Sequence, residues 1–325
     1  MMRAMVATRW GEPTDLQLME LPDPVPGARQ VAIDVHASAC NFFDILMVQG
    51  KYQVRPPLPF SPGGEVAGVV RAVGPGVEQV VPGDRVFAML GWGGFASVAL
   101  APVESVFRMP QSMPFEHGAA FGIVYQTSYF GLVYRAQLQA GETLLVHAAA
   151  GGVGLAAVQI GRALGARVLA TAGSAAKLDV ALQHGAEAAF DYSKADWVEQ
   201  VMAATGGRGA DVIYDPVGGD VFDLSTKCIA FGGRLLAIGF ASGRIPSIQV
   251  NRVLLKNIAV VGLHWGAYRQ HDPSRIPQAM NALFDLYNNG ALRPVVSSTW
   301  PLADAAVALE EIASRRSVGK VLLLP

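Results

Sequence analysis

Apolar positions along the 325-residue chain change their period near residue 115. Before that point, short apolar runs at 5–7, 30–35, 66–73, 85–89 and 95–100 alternate with turn signals, among them Pro26-Gly27, Gly74-Pro75-Gly76, Pro82-Gly83-Asp84 and Gly91-Trp92-Gly93-Gly94. Many short strands between Pro/Gly turns predict a small barrel-like β domain. The proline cluster from Pro56 to Pro62 predicts extended loop, because proline breaks both helix and ladder. Beyond 115 the spacing becomes helical through residue 134, interrupted by Gly118, Gly122 and Gly131. Strand and helix patterns then alternate. Strands are expected at 143–147, 167–172, 188–191, 210–214, 234–239 and 258–263, and helices at 154–164, 175–184 and 197–204. That alternation predicts an α/β fold with a doubly wound parallel sheet of the Rossmann type. The closing segments, helical at 277–289 and 302–314 and extended at 294–300 and 320–324, are expected to return to the first domain. The expected division is 1–120 with 266–325, and 121–265.

The stretch from 143 to 165 carries the first chemical signal. An apolar run, Leu144-Leu145-Val146, leads through a small-residue turn into a helical pattern capped by Gly165. The turn reads Ala149-x-Gly151-x-x-Gly154, a dinucleotide fingerprint with alanine in its first position. Ala149, Gly151, Gly152, Val153 and Gly154 are the candidate phosphate cradle, since a tight turn brings backbone and a helix N-terminus close to an anion. A turn merely packed into an α/β core is the plainer alternative. Gly151, Gly152, His147 and Gln159 argue against a membrane span here.

The second strand decides between the two nicotinamide dinucleotides. An NAD site places an acid at its end to hold the ribose 2′-hydroxyl. Here residues 170–177 contain no acid but do contain Ser174 and Lys177, a donor and a cation suited to a 2′-phosphate. The expected cofactor is therefore NADPH. Alternatively, Ser174 only caps the next helix and Lys177 is solvated. Tyr192, after the third strand, is a candidate for the adenosine-phosphate side or a surface tyrosine.

Composition narrows the partners. With 51% apolar residues and a net charge of −1, the chain offers no field to draw nucleic acid or an anionic membrane. Two cysteines, Cys40 and Cys228, make neither a disulfide framework nor a structural four-cysteine zinc site. The first residues lack a signal-peptide apolar core, so a cytoplasmic location is expected.

Further stretches carry a family likeness: Asn41-Phe42-Phe43-Asp44, Gly50-Lys51-Tyr52, Pro62-Gly63-Gly64-Glu65-Val66-Ala67-Gly68, Pro82 to Val86, His147 to Gly154, Gly206 to Asp211, and Gly319-Lys320-Val321. From end to end, in the same order, the chain resembles the zinc-independent, zeta-crystallin-like quinone oxidoreductases of the medium-chain dehydrogenase/reductase superfamily. The resemblance implies a GroES-like catalytic domain beside the Rossmann domain. Zinc-dependent relatives have Cys near 41, Gly-His-Glu at 63–65 and Cys near 123; this chain has Asn41, Gly63-Gly64-Glu65 and Ile123, so no metal is expected.

The implied reaction is hydride transfer from NADPH to a quinone or α,β-unsaturated carbonyl, at a site between the domains. Asn41 would bond the nicotinamide ribose or the developing oxyanion, Tyr52 would give a proton or form a wall, and Thr127 would hold the ribose. Asp44 would order its loop, and Tyr125 would line the pocket or pack in the core. Phe240, Ser242, Leu263 and Trp265 would flank the nicotinamide. Lys320 is expected on the cofactor side or in solvent. Family members also pair through the sixth strand, implying a homodimer. An enoyl-CoA reductase of the same superfamily is the nearest alternative. A non-catalytic NADPH- or RNA-binding protein is the alternative from another class.

Overall fold

In a computed structural model describing residues 1–325, the chain forms two units, Met1–Ile123 with Pro294–Pro325, and Val124–Arg293. The first unit begins with an antiparallel pair, β1 (Met2–Val6) and β2 (Gln17–Leu21). Its spine is the 11-residue β3 (Gln30–Cys40), which buries Val31, Ile33 and Val35. A short helix, α1 (Phe42–Val48), follows at once. Then come β4 (Glu65–Val73), β5 (Arg85–Met89), β6 (Val98–Pro102), β7 (Val106–Arg108) and α2 (Phe115–Ala119). β4 and β6 both pair antiparallel with β3, and Val66, Val70, Val86 and Leu90 join its apolar residues in one core. At Gly68 the partner backbone approaches so closely that a Cβ would lie 1.9 Å from the Asp34 carbonyl oxygen.

The alternating part of the chain starts with α3 (Gly122–Tyr129), which runs into a π-helical turn at Phe130–Arg135. Next are β8 (Thr143–Val146), α4 (Gly152–Ala163), β9 (Arg167–Ala172), α5 (Ala175–Gln183), β10 (Ala188–Asp191) and α6 (Trp197–Ala204). They are followed by β11 (Ala210–Asp215), α7 (Gly219–Cys228), β12 (Ile229–Ala237), α8 (Val250–Lys256), β13 (Ala259–Gly262), α9 (Tyr268–His271) and α10 (Arg275–Asn288). All six strands pair in parallel, in the order β10-β9-β8-β11-β12-β13. Strand order reverses between β8 and β11, the switch point where such sheets bind ligands. β8 is buried along its whole length, as a central parallel strand covered on both faces must be.

Residues 266–293 do not return to the first unit as expected. The apolar face of α10, Ile276, Ala279, Met280, Leu283 and Tyr287, is buried within the second unit. There Gln126 Nε2 donates to the Ile276 carbonyl at 2.9 Å, and Gln159 exchanges two bonds of 2.9 Å with the Arg293 backbone. The return comprises 294–325: β14 (Val296–Pro301), α11 (Ala305–Ala313) and β15 (Lys320–Leu324), which pairs antiparallel with β3. No helix is long and apolar enough to cross a membrane.

Gly68 gives the fold a direct test. Gly68→Ala forces β4 from β3 and should lower unfolding stability by about 1–3 kcal/mol or more, measured by urea denaturation.

Candidate active site

The turn after β8 is fixed from both sides. The His147 N–H donates to the Tyr214 carbonyl and the Ala149 N–H to the Thr171 carbonyl, each at 3.0 Å, so β11 and β9 both hold it. Ala148 takes a left-handed conformation at φ 47°, and the Gly151 N–H closes back on its carbonyl at 2.9 Å. Gly154 must stay bare, because a Cβ there would sit 2.3 Å from the same carbonyl oxygen. The first helical bond of α4 runs from the Leu155 N–H to the Gly151 carbonyl. The N–H groups of Gly152, Val153 and Gly154 are left as the unpaired donors of the first turn. Ser128 Oγ donates to the Val153 carbonyl at 2.9 Å, tying α3 to this turn; its chain neighbour Thr127 is half-buried on α3.

The other expected cofactor residues of this unit follow the carboxyl ends of parallel strands. After β9, Ser174 stands at the N-cap position of α5, but its hydroxyl makes no capping bond; Lys177 lies in the first turn of that helix. The Tyr192 ring lies against Gly173, 3.4 Å from where its Cβ would be. After β12, the N–H of Ala241 donates to the Pro216 carbonyl and that of Ser242 to the Val217 carbonyl, fixing the segment that also carries Phe240. The Leu263 N–H donates to the Ala237 carbonyl, and the Trp265 indole Nε1 is buried without a partner. Asp215, ending β11, accepts from the Val217 and Gly218 N–H groups at 2.7 and 3.0 Å; burial raises its carboxyl to about 6. Tyr125 is core, not pocket wall: its buried hydroxyl donates to Gln159 Oε1 at 2.8 Å, and burial pushes the phenol far up.

In the other unit, Asn41 stands at the start of α1 inside a closed polar cluster. Its Nδ2 donates to Glu65 Oε1 at 3.1 Å and to the Ala39 carbonyl at 3.3 Å. Lys320 Nζ donates to Asn41 Oδ1 at 2.6 Å and to Glu65 Oε1 at 2.7 Å. Glu65 Oε2 accepts from the Ile123 N–H at 2.9 Å. The side chains of Lys320 and Glu65 are only 5% and 1% exposed. Lys320 is thus not solvated: two of its three N–H donors go to Asn41 and Glu65 inside the unit. Asp44 ties two loops, accepting from the Asn41 N–H at 2.8 Å and the Gly63 N–H at 3.2 Å, with burial lifting its carboxyl to about 7. Tyr52 stacks on Phe43 with centroids 5.5 Å apart, and its hydroxyl has no protein partner. Partial burial, and then the Asp44 carboxylate, raise its phenol above the usual value.

Comparison with known proteins decides the family. Residues 27–111 match the alcohol dehydrogenase GroES-like domain and 152–285 the zinc-binding dehydrogenase family. The chain is 41% identical over 300 residues to the quinone oxidoreductase-like protein 2 homolog of Nematostella vectensis, an alignment covering 91% of this chain and 82% of the relative. It is 34% identical to the quinone oxidoreductase of Rattus norvegicus, with 100% and 98% covered. The Escherichia coli quinone oxidoreductase solved with NADPH superposes with a TM-score of 0.92 at 32% identity, covering 100% of both chains. The chain belongs to the quinone oxidoreductase group of the medium-chain dehydrogenase/reductase superfamily.

Three positions that hold zinc in other branches of this superfamily can be tested here for donor chemistry. At 41 the amide is committed to Glu65, Ala39 and Lys320. At 64 there is no side chain, and a Cβ would meet the Phe43 ring at 2.2 Å. At 123 there is isoleucine, whose Cδ1 lies 3.3 Å from that same point. An engaged amide and two hydrocarbon surfaces do not form a zinc ligand set.

Sequence reading missed Glu65 and Phe43 as organisers of this site; the close approach required at Gly64 was the available signal. It also left His147 without a role. His147 is wholly buried, with Nδ1 2.7 Å from Thr171 Oγ1 and Nε2 2.8 Å from Ser225 Oγ. Ser225 Oγ already donates to the Val221 carbonyl, so it accepts from His147 Nε2–H, and Thr171 must donate to Nδ1. The imidazole is neutral, its pKa lowered by burial to about 3. A depressed base stabilises the fold above its unfolded pKa, near 6.5, and loses that contribution as pH falls toward 3. The stability gap between wild type and His147→Gln should therefore narrow by about 2 kcal/mol from pH 7.5 to pH 5, measured by urea unfolding at both pH values.

Proposed function

We propose that this chain is an NADPH-dependent reductase of quinones or α,β-unsaturated carbonyls, working without a metal. The observation that carries the reading is the turn from Ala148 to Gly154: three unpaired N–H groups at the start of a 12-residue helix, with Gly154 too confined to bear a side chain. A pyrophosphate fits that cradle, as an anion at a helix N-terminus. Ser174 with its uncapped hydroxyl, Lys177 and the Tyr192 ring gather at the end of β9, where an acid would repel a 2′-phosphate and none stands. The NADPH complex of the Escherichia coli relative supports the same choice.

When bound, the nicotinamide supplies the hydride. The chain's own residues hold, orient and protonate. Thr127, Phe240, Ser242, Leu263 and Trp265 are assigned to the nicotinamide end, and Tyr52 keeps its proton at neutral pH for delivery to the reduced oxygen. Phe43, Tyr52 and Ile123 offer a planar, largely apolar face suited to a conjugated ring. A cytoplasmic location belongs to the same reading.

The test is a parallel titration with NADPH and NADH, followed by turnover on a panel of quinone, enone and 2-enoyl-CoA. NADPH should bind at least about tenfold more tightly, with Lys177→Glu removing most of that preference. Equal affinity for the two nucleotides sinks the selectivity; turnover confined to 2-enoyl-CoA sinks the acceptor class.

Dimerisation through β13 is part of the proposal. β13 is an edge strand with Val260 41% exposed, and the preceding helix exposes Val250, Leu254 and Leu255 by 75%, 70% and 72%. An uncovered apolar edge of this kind invites pairing with a second copy. Light scattering on eluting protein should give twice the chain mass for wild type and one chain mass for Val260→Lys.

A further inference from the structure

We infer that Asp215 is a positioning residue: its carboxylate shapes the turn from Pro216 to Gly219, and that turn seats the Phe240 ring and the Ser242 hydroxyl after β12. The inference rests on the reading above that assigns Phe240 and Ser242 to the nicotinamide end, and it adds the residue that holds them in place. Asp215 ends β11, the strand beside β8 at the switch point of the sheet, and is wholly buried. Its Oδ1 accepts from the Val217 N–H at 2.7 Å and from the Gly218 N–H at 3.0 Å. Its Oδ2 is buried and makes no protein hydrogen bond. A carboxylate so placed is costly to bury, and filling space does not call for one. It turns the chain instead. Beyond the two N–H groups drawn to Oδ1, Gly218 and Gly219 take successive left-handed φ values of 68° and 55°, which glycine adopts without steric cost.

This turn carries the segment after β12. The Pro216 carbonyl accepts from the Ala241 N–H at 3.1 Å and the Val217 carbonyl from the Ser242 N–H at 2.9 Å, while the Gly219 N–H donates to the Arg244 carbonyl at 3.1 Å. Neither glycine has room for a side chain. A Cβ at Gly218 would lie 2.9 Å from Phe240 Cδ1, and one at Gly219 2.7 Å from Ser242 Oγ. The ring and the hydroxyl therefore rest directly on the turn. Arg244 also pairs with Asp220 and Asp223, at 2.8 and 2.6 Å, but these pairs lie at the surface, where ion pairs contribute little. Residues 215–219 are all buried, so the bonds that Asp215 organises decide where the segment sits.

Asp215→Ala leaves the Val217 and Gly218 N–H groups without an acceptor in the interior, whereas Asp215→Asn keeps an oxygen for them. Thermal melts check that each variant folds. Binding is read by fluorescence for NADPH and by calorimetry for adenosine 2′,5′-bisphosphate, which carries the adenosine half alone; kcat and KM follow with a quinone. Asp215→Ala should bind the bisphosphate within about twofold of wild type, bind NADPH about fivefold more weakly and lose about tenfold or more in kcat, as misplacement at the reacting end does. Asp215→Asn and the surface control Arg244→Ala should stay near wild type in all three. Gly218→Ala, which pushes the Phe240 ring off the turn with Asp215 intact, should show the same split and decides the matter if Asp215→Ala does not fold. Equal weakening of both nucleotides marks a general structural role and overturns the inference. So does a folded Asp215→Ala with wild-type NADPH affinity and kcat, an Asp215→Asn as impaired as Asp215→Ala, or an Arg244→Ala that reproduces the loss. Wild-type protein that binds no NADPH overturns the cofactor reading itself, and this inference falls with it.

Discussion

One buried charge pair holds the first unit together across nearly the whole length of the chain. Lys320 begins the last strand, Glu65 begins β4, and they meet at 2.7 Å where almost no water reaches. Taking an ammonium and a carboxylate out of water costs several kcal/mol each, and their attraction offsets this only when the remaining hydrogen-bonding atoms are also satisfied. Here they are, through Asn41 and the Ile123 N–H. The pair therefore dictates more than its own contact. It fixes where β15 enters beside β3, which way Asn41, just ahead of α1, turns its amide, and where Ile123, at the start of α3, is held.

The second unit obeys a different constraint, one of space. Gly154 lies so close to the Ala148 carbonyl that the turn can be no looser, and Ala148 accepts a left-handed backbone as part of that tightness. The result is a helix whose first three N–H groups meet no protein acceptor. Such groups are costly to leave unpaired and favourable to give to an anion. A geometric necessity of the strand-to-helix turn thus leaves three backbone N–H groups suited to an anion.

The second constraint was legible in the sequence and the first was not. Glycines at fixed spacing between an apolar run and a helical pattern are local signals, so the cradle, its helix and all six parallel strands could be read from residue order. The place of Ser174 and Lys177 at the start of α5 was legible for the same reason. Lys320 was not, because Gly319-Lys320-Val321 reads like a solvated lysine before a terminal strand. Its partner is 255 residues away, and no spacing rule spans that gap. Helix α7 was missed because it follows Asp215-Pro216-Val217-Gly218-Gly219, which reads as loop, and its polar residues hide its apolar side. The boundary at 293 rather than 265 was hidden because α10 is amphipathic. The pattern shows which face is buried without showing which unit buries it.

The two constraints converge on the chemistry through what they leave unused. In the first unit, Asn41 has spent its donors, both Glu65 oxygens accept, and both Asp44 oxygens take backbone N–H groups. Among these side chains and Tyr52, only the tyrosine retains a hydroxyl with no protein partner, carried on a ring stacked against Phe43. A site so arranged cannot stabilise an alkoxide by charge, since its only buried cation is already neutralised by Glu65. It suits a flat, conjugated acceptor that is reactive before it arrives. That asymmetry favours reduction of quinones and enones over oxidation of alcohols, and it arises from hydrogen bonds already made rather than from any residue set aside for the purpose.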